Sequence, residues 1–440
     1  MSRTRKVTLL SATTALAAAS LLTAVSPADA ASITGGDGSP VRARSSVAAA
    51  SAVGGSIVYI HADNVWLSRP DGSGQRAVTK DGTATTPYEH PTMSDAGIIA
   101  VMKGETIVRM RQDGVVLNRI TPEDLFVPDY GTVTISPILD PEISPDGSKI
   151  AYSQLRLERY NGPGGYLETE AETGFTDAAQ WAGPDKYGIQ LGYQPSWVTN
   201  SRVTLNRSGD VHLADLGHPS TPWFYSNDIF GQFIELQETE VSPDGNRVIF
   251  GSAGGIGMKT TVGDPRTGTP GKPTANPECY LTPDAGQPVA KDPSFGPDSD
   301  SAAYSEGGDL WVITGLAACG PTTTVTKIAT GGTEPSWSPA PLSAAPAPGP
   351  QAFALAKAPV VSGKAKVGKR LRASTGTWSP APSGVSYTWL RNGKVVRGRT
   401  ASTYVVGRAD RGKRIQVRVT VRRNGYTTRS AVSSTVTVRR

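Results

Sequence analysis

Short apolar runs, each bounded by a turn signal, recur along residues 55–340. The clearest case starts at Pro141, where Ser-Pro-Asp-Gly at residues 144–147 precedes the apolar segment Ile150–Tyr152. Proline fixes one dihedral angle of a tight turn, and Asp and Gly tolerate the conformations that follow it. An apolar run of this length after such a turn predicts a β-strand.

The same phrase returns along the chain, and a regular return of one phrase predicts a repeat fold. Its copies begin at six positions: Pro91, Pro141, Pro195, Thr239, Pro293 and Pro335. The spacings are 50, 54, 44, 54 and 42 residues, close to the ~40–45 residues of a propeller repeat plus loops. Six copies predict the six blades of a β-propeller.

The two ends of the repeat region complement each other. The first predicted blade opens with a strand at residues 56–60, ahead of the first full copy of the phrase, and lacks the strand that should precede it. The last copy, residues 334–339, stops after one strand. Pairing the two would close a ring and remove its free sheet edges. We therefore expect the last strand to join the first blade.

The repeat phrase resembles the WD40-like repeats of the TolB family of propellers. The phrase itself stands at Pro141–Tyr152 and Thr239–Phe250, the strand Asp-Leu-Trp-Val at residues 309–312, and the turn Asp-Gly-Ser-Gly at residues 71–74. The resemblance covers about residues 55–340. It implies the propeller fold and names no ligand.

Residues 359–440 show a different pattern, an apolar–polar alternation with a period of two. It is clearest at Val385–Trp389 and Ile415–Val421, and Asn392-Gly393 supplies a hairpin turn. The region resembles a bacterial immunoglobulin-like module, which implies a β-sandwich with Trp389 in its core. The expected fold is therefore all-β, a six-bladed propeller followed by an immunoglobulin-like sandwich.

Two further segments connect these parts. Residues 341–358 are rich in Pro and Ala and predict a semi-rigid linker. Residues 31–54 are small and polar and predict a disordered leader.

Residues 1–30 have the pattern of a signal peptide. Three basic residues precede the apolar residues 7–25, and Ala28-Asp29-Ala30 is a small-x-small cleavage site. We therefore expect a secreted protein, free or associated with the cell surface, with no transmembrane segment after cleavage.

The chain has two cysteines, Cys279 and Cys319, 40 residues apart. In an exported protein they predict one disulfide, worth roughly 3–4 kcal/mol by the chain-entropy model. Two buried thiols are the alternative.

Charge is divided unevenly along the chain. Residues 358–440 hold nineteen Lys and Arg and one acid, a net charge of +18, whereas residues 31–357 carry −14. Such a surface attracts polyanions, among them cell-wall polymers, acidic polysaccharides and anionic lipids. No basic groove with interleaved aromatic residues is evident, so specific nucleic-acid binding is not expected. The alternative is a basic surface that only keeps the protein soluble.

Catalytic motifs were sought without result. The chain has no Gly-x-Ser-x-Gly elbow, and its four histidines, His61, His90, His212 and His218, do not have metal-ligand spacing. We therefore predict no catalytic residue, no cofactor and no metal, with the histidines at the surface or satisfied within the fold.

An insertion at residues 156–190 exceeds what a blade needs and combines acids with aromatics. Its candidate binding residues are Glu168, Glu170, Trp181 and Tyr187. They could bind a sugar, a cationic peptide or Ca²⁺, since loops on rigid scaffolds often carry function. The alternative is an extended outer hairpin whose aromatics pack on the blade.

Three hypotheses of function follow. The leading one is a non-catalytic binding protein, whose propeller holds an unknown protein or glycan and whose basic module attaches to cell-surface polyanions. The second is an extracellular lyase or glycosidase, which needs acids and a histidine converging on the central channel. The third is a purely structural surface protein.

Overall fold

The computed structural model describes residues 32–34, 40–41, 53–125, 132–159, 167–183, 186–274, 278–283, 286–319, 322–344 and 351–439. The chain forms two compact units, Met1–Ser343 and Ala344–Arg440. Nearly all regular structure in the described residues is β-strand, which confirms the all-β expectation. No helix in these ranges is long and apolar enough to cross a membrane. The predicted signal peptide lies outside the described residues.

The described part of the first unit contains six antiparallel sheets. Two short strands come first: β1 Ser32–Thr34 and β2 Pro40–Val41. Sheet 1 begins with three strands: β3 Ser56–His61, β4 Asn64–Ser68 and β5 Arg76–Ala77. Sheet 2 has four: β6 Tyr88–Met93, β7 Ile98–Lys103, β8 Thr106–Arg111 and β9 Val116–Ile120. Sheet 3 has five: β10 Thr132–Ile135, β11 Leu139–Ile143, β12 Lys149–Arg159, β13 Leu167–Asp177 and β14 Gln190–Leu191.

Sheet 4 has four strands: β15 Tyr193–Thr199, β16 Arg202–Arg207, β17 Asp210–Asp215 and β18 Thr221–Tyr225. The short helix α1 Ser226–Phe230 follows. Sheet 5 adds four: β19 Gln237–Val241, β20 Arg247–Ser252, β21 Gly255–Thr260 and β22 Glu278–Thr282. Sheet 6 has four: β23 Lys291–Phe295, β24 Ser301–Glu306, β25 Asp309–Thr314 and β26 Thr324–Ala329. The last strand is β27 Thr333–Ser338.

Sheet 1 joins the two ends of the repeat region. Its strand order is β27-β3-β4-β5, with Trp337 opposite Ile57 in an antiparallel pair. The predicted pairing of the last strand with the first is therefore confirmed. Four-stranded antiparallel sheets completed by a strand from the far end of the chain are typical of a β-propeller.

The leader is partly ordered, in contrast to the expectation for residues 31–54. Strand β1 pairs antiparallel with β22, Ile33 opposite Leu281, and β2 pairs with β1, so that both extend sheet 5. An edge strand offers unpaired backbone groups, and β1 uses those of β22. Sequence composition does not reveal such pairing, because backbone groups supply it.

The cores lie between neighbouring sheets. Val58 and Leu67 of sheet 1 pack with Ile99 and Val101 of sheet 2, and all four are fully buried. Strand alternation sends these side chains to the sheet faces, so each sheet is buried by the next.

The described part of the second unit has twelve strands. They are β28 Gln351–Ala352, β29 Ala354–Lys357, β30 Val361–Ser362, β31 Arg370–Ala373, β32 Thr377–Ser379, β33 Gly384–Arg391, β34 Lys394–Val395, β35 Thr403–Val405, β36 Arg414–Arg422, β37 Tyr426–Thr427, β38 Arg429–Val432 and β39 Val436–Thr437. The main sheet has the order β34-β33-β36-β38, with β39 also on β36, and a smaller sheet has the order β30-β31-β35.

Part of the predicted linker, residues 341–358, belongs to the second unit as strand. Strand β29 pairs with β32, and Phe353 beside it is 1% exposed, edge-on to Trp378 with ring centroids 6.2 Å apart. Burial of the phenyl ring explains why this stretch is ordered despite its composition.

One core binds the sheets of the second unit together. Trp389 of β33 is fully buried and stacks on Tyr404 of β35 with ring centroids 5.1 Å apart. Leu371 of the smaller sheet and Val417 of the main sheet belong to the same cluster. The predicted role of Trp389 as a core residue is confirmed.

Candidate functional site

A polar residue occupies the same position in one strand of each sheet of the first unit, namely β6, β11, β15, β19, β23 and β27. These six residues, called the inner ring below, are His90, Asp140, Gln194, Glu238, Asp292 and Glu334. Each stands one residue before the start of a repeat copy and has a positive φ, between 48° and 54°. A positive φ is uncommon for residues other than glycine. At each, the strand slips register against its neighbour, as in a β-bulge.

The strands that carry the inner ring touch one another in a closed sequence. Strand β6 contacts β11, β11 contacts β15, β15 contacts β19, β19 contacts β23, β23 contacts β27, and β27 contacts β6. The repeated bulge therefore brings six polar side chains from six sheets toward a common axis.

Side chains of the ring accept hydrogen bonds from the backbone of the next sheet. Glu334 Oε2 accepts the His90 amide at 2.6 Å, Gln194 Oε1 accepts the Glu238 amide at 3.0 Å, and Glu238 Oε2 accepts the Asp292 amide at 2.7 Å. The imidazole Nδ1 of His90 lies 3.3 Å from Asp140 Oδ1. The ring is thus a set of polar clasps between adjacent sheets, each satisfying an amide that the bulge would leave unpaired.

Ser305 of β24 completes one further junction. Its hydroxyl donates to Asp292 and accepts the amide of Glu334 at 3.2 Å. Among the described residues no hydrogen bond of this kind joins Asp140 to Gln194. At the junction between sheets 3 and 4 the Trp197 indole instead donates to the Glu142 carbonyl at 2.8 Å.

A second tier lies two residues further along the same strands. Thr92 Oγ1 accepts the Ile143 amide at 3.0 Å, and Glu240 Oε2 accepts the Phe295 amide at 3.1 Å. The other acid of this tier is Glu142. Two carboxyl groups from sheets 3 and 5 therefore join the six ring residues near the axis.

Burial dominates the electrostatics of these acids. It raises the pKa of Glu240 to about 8, against the opposing hydrogen bonds from Phe295 and Ser294. It also raises the pKa of Glu142 well above its usual range, with further contributions from the carboxylates of Glu240 and Asp140. Charged carboxylates are disfavoured in a confined, weakly solvated space, so both groups bind protons more tightly than an exposed glutamate does.

His90 behaves in the opposite way. Burial alone would lower the pKa of its imidazole, but the carboxylates of Asp140 and Glu334, with Glu89 and Asp292, raise it. The same imidazole in turn opposes the rise in the pKa of Asp140 that burial causes. His90 is the one basic side chain of the inner ring, a position that its sequence context did not suggest.

Sequence reasoning missed the inner ring, although a signal was present. All six residues directly precede the Pro or Thr that starts a copy. Five of the six are Asp, Glu or Gln, which are hydrogen-bond acceptors at a position where a strand would often have an apolar residue. Aligning the copies would have shown one polar position shared by all.

The candidate residues of the insertion that the structure describes each contact a different residue. Glu168 lies in β13, its side chain outside the described part, while Glu170 pairs with Arg156 at 3.7 Å. Trp181 packs beside Tyr152 with ring centroids 6.0 Å apart, and the Tyr187 hydroxyl donates to Asp177 at 2.6 Å. The described aromatic residues pack on the sheet, and their contacts do not gather the four candidates into one site.

The predicted disulfide is present. Cys279 of β22 and Cys319, which follows β25, are bonded with 2.06 Å between sulfur atoms, and their Cα atoms are 5.5 Å apart. The bond links sheet 5 to sheet 6 inside an apolar cluster that includes Tyr304 and Ile313. In the described ranges no group of three or more His, Cys, Asp or Glu is arranged to hold a metal ion.

The second unit offers a strongly basic surface. Of its nineteen Lys and Arg residues in 351–439, eighteen are exposed, and the exception is Arg391. The one acid there, Asp410, is fully buried. It accepts hydrogen bonds from Arg391 Nε at 2.6 Å, the Tyr404 hydroxyl at 2.7 Å and the Gly407 amide at 2.7 Å. The unit therefore presents cations to solvent with no exposed carboxylate among its described side chains.

Comparison with known proteins locates the chain only by its shape. No protein-family model matches it, and no curated protein matches it either. A solved structure of a putative TolB from Agrobacterium tumefaciens is 14% identical, with 65% of this chain and 95% of that chain covered and a TM-score of 0.39. A functionally unknown protein from Desulfotomaculum acetoxidans is 10% identical, with 63% and 99% covered and a TM-score of 0.36.

A structure from a study of two prolyl endopeptidases is 13% identical, with 76% of this chain and 54% of that chain covered and a TM-score of 0.30. Similarities of this size add no argument about function. The assignment of a propeller rests on the sheets of the first unit and the contacts between them.

Proposed function

We propose that the protein is an exported, non-catalytic binding protein that attaches to cell-surface polyanions through its second unit. The observation that carries this proposal is the exposure of eighteen cations with the one acid buried. A surface of one sign concentrates ligands of the opposite sign around it. The first unit would then hold a protein or glycan at that surface.

The first unit is proposed to be a six-bladed propeller, with each sheet as one blade. Support comes from the closed sequence of contacts among the strands that carry the inner ring and from the pairing of β27 with β3. Such a scaffold is rigid, because every blade is braced by two others, and rigid scaffolds suit binding at loops or at a central opening.

The second unit is proposed to be an immunoglobulin-like sandwich. Its smaller and main sheets share one core around Trp389, and Leu371, Ile415 and Val419 fill that core. Export is supported by the disulfide, because disulfides persist in oxidising compartments.

Sedimentation with purified bacterial cell envelopes tests the attachment. At about 50 mM salt we expect the full chain to pellet with the envelopes, and at about 500 mM we expect release, because salt screens charge contacts. A full chain that stays in solution at low salt contradicts the attachment. Binding that survives high salt would mean that another surface, such as the propeller, recognises the envelope.

A second candidate function is an extracellular lyase or glycosidase. It is favoured by the convergence of acids and His90, and by the raised pKa of Glu142 and Glu240, since perturbed carboxyl groups mark many active sites. The test is turnover of envelope polysaccharides by the wild type, E142Q and E240Q. Turnover that both variants lose would establish the enzyme, whereas an inactive wild type, or variants as active as the wild type, would remove it.

A further inference from the structure

One strand of the second unit carries regularly spaced arginines on its outer face. Strand β36 runs through the middle of the main sheet, and its inward residues, from Ile415 to Val421, are fully buried. The residues between them point outward, and three are exposed arginines, Arg414, Arg418 and Arg422, called the arginine row below. Because residues four apart in a strand are about 13 Å apart, the row places a guanidinium group at each interval of that length.

Small side chains flank the arginine row. Arg418 stands opposite Thr388 on β33 and Val432 on β38, and Thr420 stands opposite Ser386 and Ser430. The hydroxyls of Thr420 and Ser430 are 2.8 Å apart. The outer face therefore alternates along β36 between guanidinium groups and hydrogen-bonding side chains, with Gln416 and Thr420 between the arginines.

The guanidinium groups of the row have no partner within the described residues. None of the three donates a side-chain hydrogen bond or forms an ion pair there, whereas Arg391 is held by Asp410. The first unit differs, since Arg202 is paired with Asp215 at 2.6 Å. Unpaired arginines in register on one strand have all their side-chain donors available for an external anion.

We infer that the arginine row binds a linear polyol-phosphate chain that lies along β36. Guanidinium groups bind phosphates through two parallel hydrogen bonds, and hydroxyls between them match the hydroxyls of a polyol linker. A chain with repeated phosphates engages all three arginines at once, which a single anion cannot do. The outward residues of β33, β36 and β38 include no aromatic side chain on which nucleic-acid bases could stack. This inference rests on the proposed attachment to polyanions. It specifies the class of polyanion and the face of the second unit that binds it.

Binding of purified poly(glycerol phosphate) to the full chain tests the inference. The row variant is R414Q/R418Q/R422Q, and the matched control is R370Q/R372Q/R408Q, which removes the same charge from exposed arginines outside the main sheet. At about 50 mM salt we expect the row variant to bind at least about tenfold more weakly and its log–log salt slope to fall by about 2–3, because three phosphate contacts are lost. The control should change by no more than about threefold.

Both variants should fold, because the replaced side chains are exposed. Circular dichroism and thermal unfolding check this. Equal weakening of the two variants would overturn the inference and assign binding to total charge. Single-stranded DNA or polyglutamate that binds as tightly, with the same dependence on the row, would overturn the choice of ligand. If the wild type sediments with envelopes and the row variant does so equally, the row fails while the attachment stands. If the wild type does not sediment at all, the attachment itself fails.

Discussion

In the first unit, cations lie against carboxylates of the same unit, whereas in the second unit they face solvent. Arg202 binds Asp215, Arg266 binds Asp264 at 2.9 Å, and Lys327 binds Asp309 at 2.6 Å, all in the propeller. Among the described residues of the second unit, the one ion pair is that of Arg391 with Asp410. These propeller cations are paired within their own unit, whereas the second unit keeps its exposed cations available.

Acids show the same contrast in another form. In the propeller, carboxylates join neighbouring sheets around the axis. Glu238 and Glu334 accept hydrogen bonds from backbone amides of the adjacent strands. The second unit uses its one acid inside its core. Charge therefore serves architecture in the first unit and, by our proposal, attachment in the second.

The largest effect is expected from D410A, because it leaves Arg391 and the Tyr404 hydroxyl without their acceptor. Leaving a buried donor without an acceptor costs about 1–3 kcal/mol, which applies to the Tyr404 hydroxyl and the Gly407 amide. Arg391, with 35% of its side chain exposed, can bind water instead. The measurement is thermal unfolding of the full chain, with hydrogen exchange of residues 351–439 to assign the transition to the second unit.

The matched control for D410A is D113A, which breaks the exposed pair of Asp113 with Arg111 in the propeller. Its cost should be much smaller, since exposed pairs contribute little. Similar small losses in both variants would mean that Asp410 is not the anchor of the second unit.

The propeller should depend on its covalent link between sheets 5 and 6. Replacing both cysteines in C279A/C319A should lower its free energy of unfolding by roughly 3–4 kcal/mol, because the unfolded chain regains the entropy of the closed loop. Chemical denaturation measures the loss. Reductant should destabilise the wild type to a similar degree and leave the variant unchanged; a variant that still responds to reductant would contradict this account.

Sequence sufficed for the sheets because turn chemistry and strand periodicity are local. The copies at Pro141 and Thr239 predict β-strands that the structure contains. The unpaired strand at the end of the repeat region predicts the pairing of β27 with β3. The leader strand β1 was not foreseen, since its backbone pairing with β22 leaves no sign in the local composition.

The inner ring needed more than local pattern. Its residues differ in type, from His90 to Gln194, so no motif joins them, and only the bulge in each of the six strands that carry them directs them to a shared axis. The insertion posed the reverse difficulty. Trp181 and Tyr187 have the composition of a binding loop, and only their contacts with Tyr152 and Asp177 show that they pack on the sheet.

The pH dependence of the propeller should reflect its buried acids. The pKa of Glu240 is raised to about 8 in the folded protein, so the folded state binds the proton more tightly than the unfolded chain does. Its contribution to stability is full below the ordinary pKa of glutamate, about 4.3, and is lost as the pH rises to about 8.

The variant E240Q removes this dependence while keeping an oxygen acceptor for the Phe295 amide. We expect it to raise the free energy of unfolding by about 1–2 kcal/mol at pH 8 and to change it little at pH 4.5. Denaturant unfolding at both pH values measures this. E105Q, on the exposed turn between β7 and β8, is the control and should act alike at the two values. Equal effects of E240Q at both would show that Glu240 is charged in the fold.

Salt should stabilise the second unit more than the propeller, and this is the smallest of the expected effects. Raising NaCl from 0.1 to 1 M shortens the screening length from about 10 to about 3 Å. In the second unit the exposed cations repel one another, so screening should stabilise it, by less than about 1 kcal/mol. In the propeller, whose part of the chain (residues 31–357) carries a net charge of −14, attraction in pairs such as Lys327 with Asp309 offsets part of the repulsion among its acids, so screening should change its stability less.

Hydrogen exchange of the full chain, followed unit by unit, separates the two responses in one sample. The row variant R414Q/R418Q/R422Q should gain less from salt than the wild type, because part of the repulsion is already gone. A general salting-out effect would move both units to the same extent and leave the variant's response unchanged. That result would mean that the cations of the second unit are too far apart to act on one another, so that their spacing along β36 serves only an external ligand.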